Sequence, residues 1–134
     1  MSRAETLAGR HILLVEDDFL IALDVTASLK AAGAQVVGPA ASLAGALALA
    51  AKAEQLDGAI LDINLRGEMV YPVADALRAR SVPFVFVTGY DRASIPAPYA
   101  DVPVCEKPFH LGRAVEAIFG SSRAAACRDS RPDR

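Results

Sequence analysis

Apolar positions along the chain fall into two rhythms. Short, nearly unbroken apolar runs occupy 11–15, 58–61, 84–87 and 102–105. Runs of that length, rich in Val and Ile and ended by polar or turn residues, read as strands buried on both faces of a parallel sheet. Between them apolar residues recur at helical spacing: Ile21, Val25 and Leu29; Leu43, Ala46, Leu47 and Ala50; Leu111, Val115, Ile118 and Phe119. Asp18 and Ser42 are placed to cap the first two helices, Gly33 closes the first, and Gly120 stops the last. A short strand is expected over 34–37, ended by Gly38-Pro39. Residues 64–69 read as a loop carrying Gly67, and a third helix spans 71–80 with Pro72 in its first turn. The alternation calls for a further helix within 91–101, but Pro96 and Pro98 should shorten or break it.

Five strands alternating with four or five helices predict an α/β fold with a doubly wound parallel sheet. Right-handed crossovers make the flavodoxin-like strand order 2-1-3-4-5 the simplest arrangement. The chain of 134 residues fits one domain over 10–120, with a flexible N-terminus at 1–9 and a disordered polar tail at 121–134. Composition sharpens this only slightly. Apolar residues make up 53%, without Trp, as in a sheet held between closely packed helices. A net charge of −2 gives no basic footprint for nucleic acid. No apolar run reaches the roughly 18 residues of a membrane span, and no signal peptide opens the chain, so a cytoplasmic protein without a membrane partner is expected. Cys105 and Cys127 lack metal-ligand or CxxC spacing and are expected as free thiols.

The chemistry lies at the ends of the strands. In a parallel sheet these ends share one edge, where open α/β sheets bind their ligands. The first strand runs into Glu16-Asp17-Asp18, the third ends in Asp62, the fourth ends in Thr88, and the fifth runs into Glu106-Lys107-Pro108. The order 2-1-3-4-5 sets Asp17 beside Asp62. Several carboxylates that close together raise one another's pKa unless a cation joins them. An all-oxygen site with few protein ligands suits Mg²⁺. Carboxylate, metal, hydroxyl and ammonium together describe a phosphoryl-transfer site: a nucleophile, a charge clamp and donors for the phosphoryl oxygens. Each piece alone has a plainer use, as helix cap, strand terminator or turn residue. Four successive strand ends of the required chemical types do not. No Walker A sequence is present, which excludes the usual nucleotide hydrolases.

These residues carry a family resemblance. Val-Glu-Asp-Asp at 15–18, Leu-Asp-Ile-Asn at 61–64, Val-Thr-Gly at 87–89 and Glu-Lys-Pro-Phe at 106–109 resemble the receiver domains of two-component response regulators. The resemblance implies that Asp62 accepts a phosphoryl group from a histidine kinase or histidine phosphotransferase. It implies Mg²⁺ ligation by Asp17, Asp62 and the Asn64 backbone carbonyl, with Glu16 acting through water. It further implies that Thr88 and Lys107 contact phosphoryl oxygens and that a cis peptide precedes Pro108. Two departures stand out. The family's aromatic switch position, three before the lysine, is Val104. Residues 83–90 are similar to the Pro-Phe-x-Phe-Ala-Thr-Gly-Tyr signature of single-domain receivers from bacterial stress phosphorelays, often called FAT GUY, with Val87 in place of Ala. Tyr90 and Gly89 are therefore the candidate switch residues, with a lid over the site as the alternative role of Tyr90.

Three functions follow. The first is a stand-alone phosphoacceptor that signals through an unidentified downstream protein or serves as a phosphate sink, and is not an enzyme in the ordinary sense. The second is a degenerate receiver that only binds. The third is an aspartyl-phosphate phosphohydrolase like the haloacid-dehalogenase group. That group wants a second Asp two residues after the nucleophile, where this chain has Asn64.

Overall fold

The apolar runs form strands because both faces of the sheet are covered. The computed structural model describes residues 7–89 and 95–120. In chain order these give β1 (His11–Val15), α1 (Phe19–Ala31), β2 (Gln35–Ala40), α2 (Leu43–Lys52), β3 (Gly58–Asp62), β4 (Asn64–Leu65), β5 (Glu68–Met69), α3 (Tyr71–Ala79), β6 (Phe84–Thr88), a 3-10 turn (Ala97–Tyr99), β7 (Val104–Glu106) and α4 (Leu111–Phe119). The main sheet runs β2-β1-β3-β6-β7, with every pair parallel. Counting only its own strands, this is the expected order 2-1-3-4-5.

Alternate residues of each strand feed two cores. Leu13, Leu61 and Phe86 face Ala46 and Ala50 of α2 and Val73 and Leu77 of α3. Ile12, Leu14, Ile60 and Val85 face Val25 and Leu29 of α1 and Val115 and Ile118 of α4. Each such Leu, Ile or Phe side chain contributes roughly 1.5–3 kcal/mol on burial. The helices approach the sheet closely. A Cβ at Gly58 would lie 2.9 Å from Ile118 Cγ2.

The capping expectations hold: Asp18 accepts from Ile21 N–H at 3.0 Å and Ser42 from Gly45 N–H at 3.1 Å. The start of α4 is capped by His110, whose Nδ1 accepts from Gly112 N–H at 3.1 Å.

Several elements depart from the expectation. β2 does not stop at Gly38-Pro39 but runs through it to Ala40, with a register irregularity between Leu13 and Val15 of its neighbour. It lies at the sheet edge, where a missing N–H costs no ladder bond, and Gly38 takes φ 103° beside a cis peptide to Pro39. The 64–69 loop is a two-residue hairpin, β4 to β5. Within the N-terminal nine, Leu7 is 1% exposed, and Gly9 N–H donates to Gly33 O at 3.0 Å. Residues 1–6 and the 121–134 tail lie outside the described residues. Among those described between β6 and β7 there is only the 3-10 turn, as the prolines require. Cys105, expected as a free thiol, is disulfide-bonded. Spacing rules detect local Cys motifs and do not fix disulfide pairing. No helix among the described residues is long and apolar enough to cross a membrane.

Candidate functional site

The sheet register builds the site. Val15 pairs with Leu61, Asp62 with Val87, and Thr88 with Glu106. The chain leaving β1 therefore puts Glu16 and Asp17 against the tip of β3, while Lys107 leaves β7 next to the tip of β6. Lys107 N–H donates to Thr88 O at 2.9 Å, which ties those last two tips together. The peptide from Lys107 to Pro108 is cis, as the resemblance implies.

Among the described residues, the buried polar or charged side chains are Glu16, Asp62 and Thr88. All three stand at this edge, and buried carboxylates need partners to offset desolvation. Lys107 supplies them: its Nζ lies 3.0 Å from Asp62 Oδ2, 3.0 Å from Glu16 Oε1 and 3.2 Å from Glu16 Oε2. Glu16 also accepts from Asp18 N–H at 3.0 Å.

One ammonium does not balance the acids. Burial pushes the Asp62 carboxyl from 3.8 up to about 7; the hydrogen bond from Lys107 opposes the rise, and the charge of Glu16 adds to it. For Lys107, burial favours the neutral amine, but its bonds to Asp62 and Glu16 outweigh that and raise its pKa, so the ammonium persists. Asp17 completes the acidic set, and Glu16, Asp17 and Asp62 offer oxygens all within 4.8 Å of one another. Hard oxygen donors, an uncompensated carboxylate and an open face suit Mg²⁺. The open face is a cavity of about 530 Å³ whose walls include Asp17, Asp62, Asn64, Arg66, Gly89 and Lys107.

The remaining sequence candidates sit as follows. Asn64 Oδ1 accepts from Gly67 N–H at 2.6 Å, so its side chain is committed to the hairpin turn. Val104 is 7% exposed and pairs with Phe86 inside the sheet. A Cβ at Gly89 would meet nothing within 4 Å, and its φ is not in the left-handed region, so neither sterics nor backbone demands glycine there. Tyr90 lies outside the described residues.

Two features escaped the sequence reading. Arg66 lines the cavity from the hairpin turn, with Nε 3.8 Å from Asp17 Oδ2. Gly67 between Asn64-Leu65 and Glu68-Met69 was the available signal for a turn, although Arg is not a usual first residue of a two-residue hairpin. Tyr99 stacks on Tyr71 at 4.7 Å, and its hydroxyl donates to Asp75 at 2.8 Å. Arg78 joins this anchor, donating to Pro98 O at 3.0 Å and to Asp101 at 2.9 Å.

No protein-family model and no curated protein matches the chain. Solved structures do. SdrG from Sphingomonas melonis Fr1 is 41% identical, with 95% of this chain and 98% of that one covered and a TM-score of 0.68. A BeF3-activated conformation of SdrG from Pseudomonas melonis Fr1 is 40% identical, over 90% of this chain and 97% of that one, with a TM-score of 0.65. A response regulator receiver protein from Sinorhizobium medicae WSM419 shares the fold at 23% identity and a TM-score of 0.69, over 92% and 98% of the two chains. With the five-stranded order, the acidic edge and an over-40% likeness spanning nearly the whole of both chains, the protein belongs to the receiver domains of response regulators.

Proposed function

We propose that the chain is a stand-alone phosphoacceptor of a bacterial two-component phosphorelay, phosphorylated on Asp62. The observation that carries this reading is Asp62 itself. It is 6% exposed, bonded to Lys107 at 3.0 Å, and set on the wall of an open cavity. A carboxylate so placed can attack the phosphorus of a phosphohistidine. The new bond is O–P, the bond broken is P–N, and the imidazole leaves with the electron pair. Asp17, Asp62, the Asn64 carbonyl and Glu16 would hold Mg²⁺, which when bound supplies positive charge against the acids and the transferred phosphoryl group. Lys107 pairs with the added charge, and Thr88, at the adjacent strand tip, donates to a phosphoryl oxygen. Slow hydrolysis of the aspartyl phosphate returns the chain to its starting state, so it acts as a signalling module.

Support for a phosphoryl-driven response comes from SdrG, which has a BeF3-activated conformation. Support for docking of a protein phosphodonor comes from α1. Phe19, Leu20 and Leu23 are 75%, 72% and 57% exposed, beside an apolar groove walled by Leu20, Val25, Pro108 and Phe109. Exposed apolar residues concentrated next to a reactive edge favour a protein donor, a histidine kinase or phosphotransferase, over a free metabolite. The likeness of 83–90 to the FAT GUY signature supports a role in a bacterial stress phosphorelay, and we read the protein as cytoplasmic. We assign the response to the loop opening at Gly89-Tyr90, because Val104 has no ring to swing. The Cys105 disulfide runs against a reducing compartment, so thiol titration of freshly lysed protein belongs beside the functional assay.

The test is transfer of labelled phosphate from a phosphorylated kinase or phosphotransferase to the wild type and to Asp62→Asn. Label on the wild type alone is expected. Label retained by the Asn variant would move the acceptor elsewhere. Label leaving the wild type without any change in partner binding would favour a phosphate sink.

A further inference from the structure

The cavity holds two cations, and they are used differently. Lys107 is spent: it lies at 3.0 Å from both Asp62 and Glu16 and is largely enclosed. Arg66 is not. Its side chain is 80% exposed, and it touches Asp17 only at long range, with Nε 3.8 Å from the carboxylate and a 3.5 Å hydrogen bond to the backbone oxygen. Its position is nevertheless enforced. Arg66 takes φ 54° and Gly67 φ 95°, the paired left-handed geometry of a two-residue hairpin turn. That geometry disfavours most residues that carry a Cβ, and Asn, Asp or Gly is the usual occupant. The turn is locked by the 2.6 Å bond from Gly67 N–H to Asn64 Oδ1. The hairpin thus holds a long cation over an acidic cavity at the cost of a less favourable backbone.

We propose that Arg66 is a tethered counter-ion that exchanges partners. In the metal-free protein it neutralises Asp17. A divalent cation that takes Asp17 displaces it, and the released guanidinium, facing the same cavity as Asp62, then pairs with the phosphoryl oxygens. This rests on the metal and acceptor sites of the proposed function. The loose, exposed contact suits the exchange, since a tightly bidentate Arg–Asp pair would resist it.

Two opposite effects of one substitution follow. Arg66→Gln removes a cation that competes with Mg²⁺, so Mg²⁺ affinity, read from the Mg²⁺-dependent shift in melting temperature, should rise about two- to fivefold, the range of an exposed ion pair. The gain should shrink as ionic strength rises, because an exposed pair is screened. At saturating Mg²⁺ the same variant should bind beryllium fluoride, a phosphoryl mimic, more weakly by a similar factor. Arg66→Lys keeps the charge on the same turn and should behave like the wild type in both assays. Equal Mg²⁺ affinity in the Gln variant and the wild type would overturn the exchange. So would unchanged beryllium fluoride binding, or a Lys variant that behaves like Gln. A wild type with no response to Mg²⁺ would overturn both this inference and the metal site it rests on, whereas a responsive wild type with an indifferent Gln variant overturns this inference alone.

Discussion

Replacing Asp62 by Asn should stabilise the metal-free protein, although it removes a group bonded to Lys107. Asp62 has its pKa lifted from 3.8 to about 7, chiefly by burial. The folded state therefore holds this proton more tightly than the unfolded chain does. The sign follows directly: between about pH 4 and about pH 7, stability falls as pH rises, and the loss is complete above the folded value. A gap of that width corresponds to at most about 4 kcal/mol of strain from holding the carboxylate ionised at pH 8. Asn is nearly isosteric with the neutral acid and keeps an oxygen for Lys107, whose ammonium retains Glu16 at 3.0 Å. That gap is already net of the attraction to Lys107; an amide beside Lys107 and Glu16 fits less well than the neutral acid, which leaves about 2 kcal/mol. For a domain of this size that is a rise of roughly 5–10 °C in melting temperature. Thermal melts of both proteins across this pH range, with chelator and then with saturating Mg²⁺, provide the measurement. The variant's advantage should open as pH rises through the window and narrow when Mg²⁺ neutralises the wild-type cluster. An Asn variant that melts below the wild type near pH 8 in chelator would refute the reasoning. The Lys107–Asp62 pair would then be a net stabiliser, with no uncompensated charge left for a metal to relieve.

Other consequences are simpler to read. Asp17→Ala should abolish the Mg²⁺-dependent rise in melting temperature while leaving the metal-free melt within about 1 kcal/mol of wild type, since Asp17 is at the surface edge of the cluster; a wild-type response to Mg²⁺ would show the cation binds elsewhere. Tyr90→Ala should leave phosphorylation of Asp62 intact but make partner binding independent of it; faster loss of the phosphoryl group with unchanged phosphorylation-dependent binding would remove Tyr90 from the switch.

Much of the fold was legible because parallel strands buried on both faces write themselves as apolar runs. What was misread depended on position in the sheet, not on composition. Gly38-Pro39 looks like a strand stop, yet β2 passes through it because an edge strand tolerates both residues. In α1 the stripe reads as Ile21, Val25 and Leu29, but the buried set is Ala22, Val25 and Leu29. That helix is apolar nearly all round, so periodicity alone cannot choose its inner face. The acidic edge was legible because topology alone brings strand tips together. Arg66 was not, because its place above Asp17 depends on a turn geometry that Arg does not advertise.

The route from the site to the surface can be argued from one strand. Thr88 and Phe86 lie two residues apart on β6 and so project to the same face of the sheet. Phe86 meets Tyr71 edge-on at 5.8 Å and Tyr99 at 6.1 Å, and those two tyrosines stack on each other. In this chain the ring that stands next to Phe86 is therefore not on β7, where Val104 sits, but on the 3-10 turn that replaces a helix. Tyr99 is held there by its bond to Asp75, and the turn by Arg78. A close-packed aromatic group transmits a shift at one end because it cannot absorb it. Movement of the β6 tip toward a phosphoryl group on Asp62 would thus reach the 97–99 turn through Phe86.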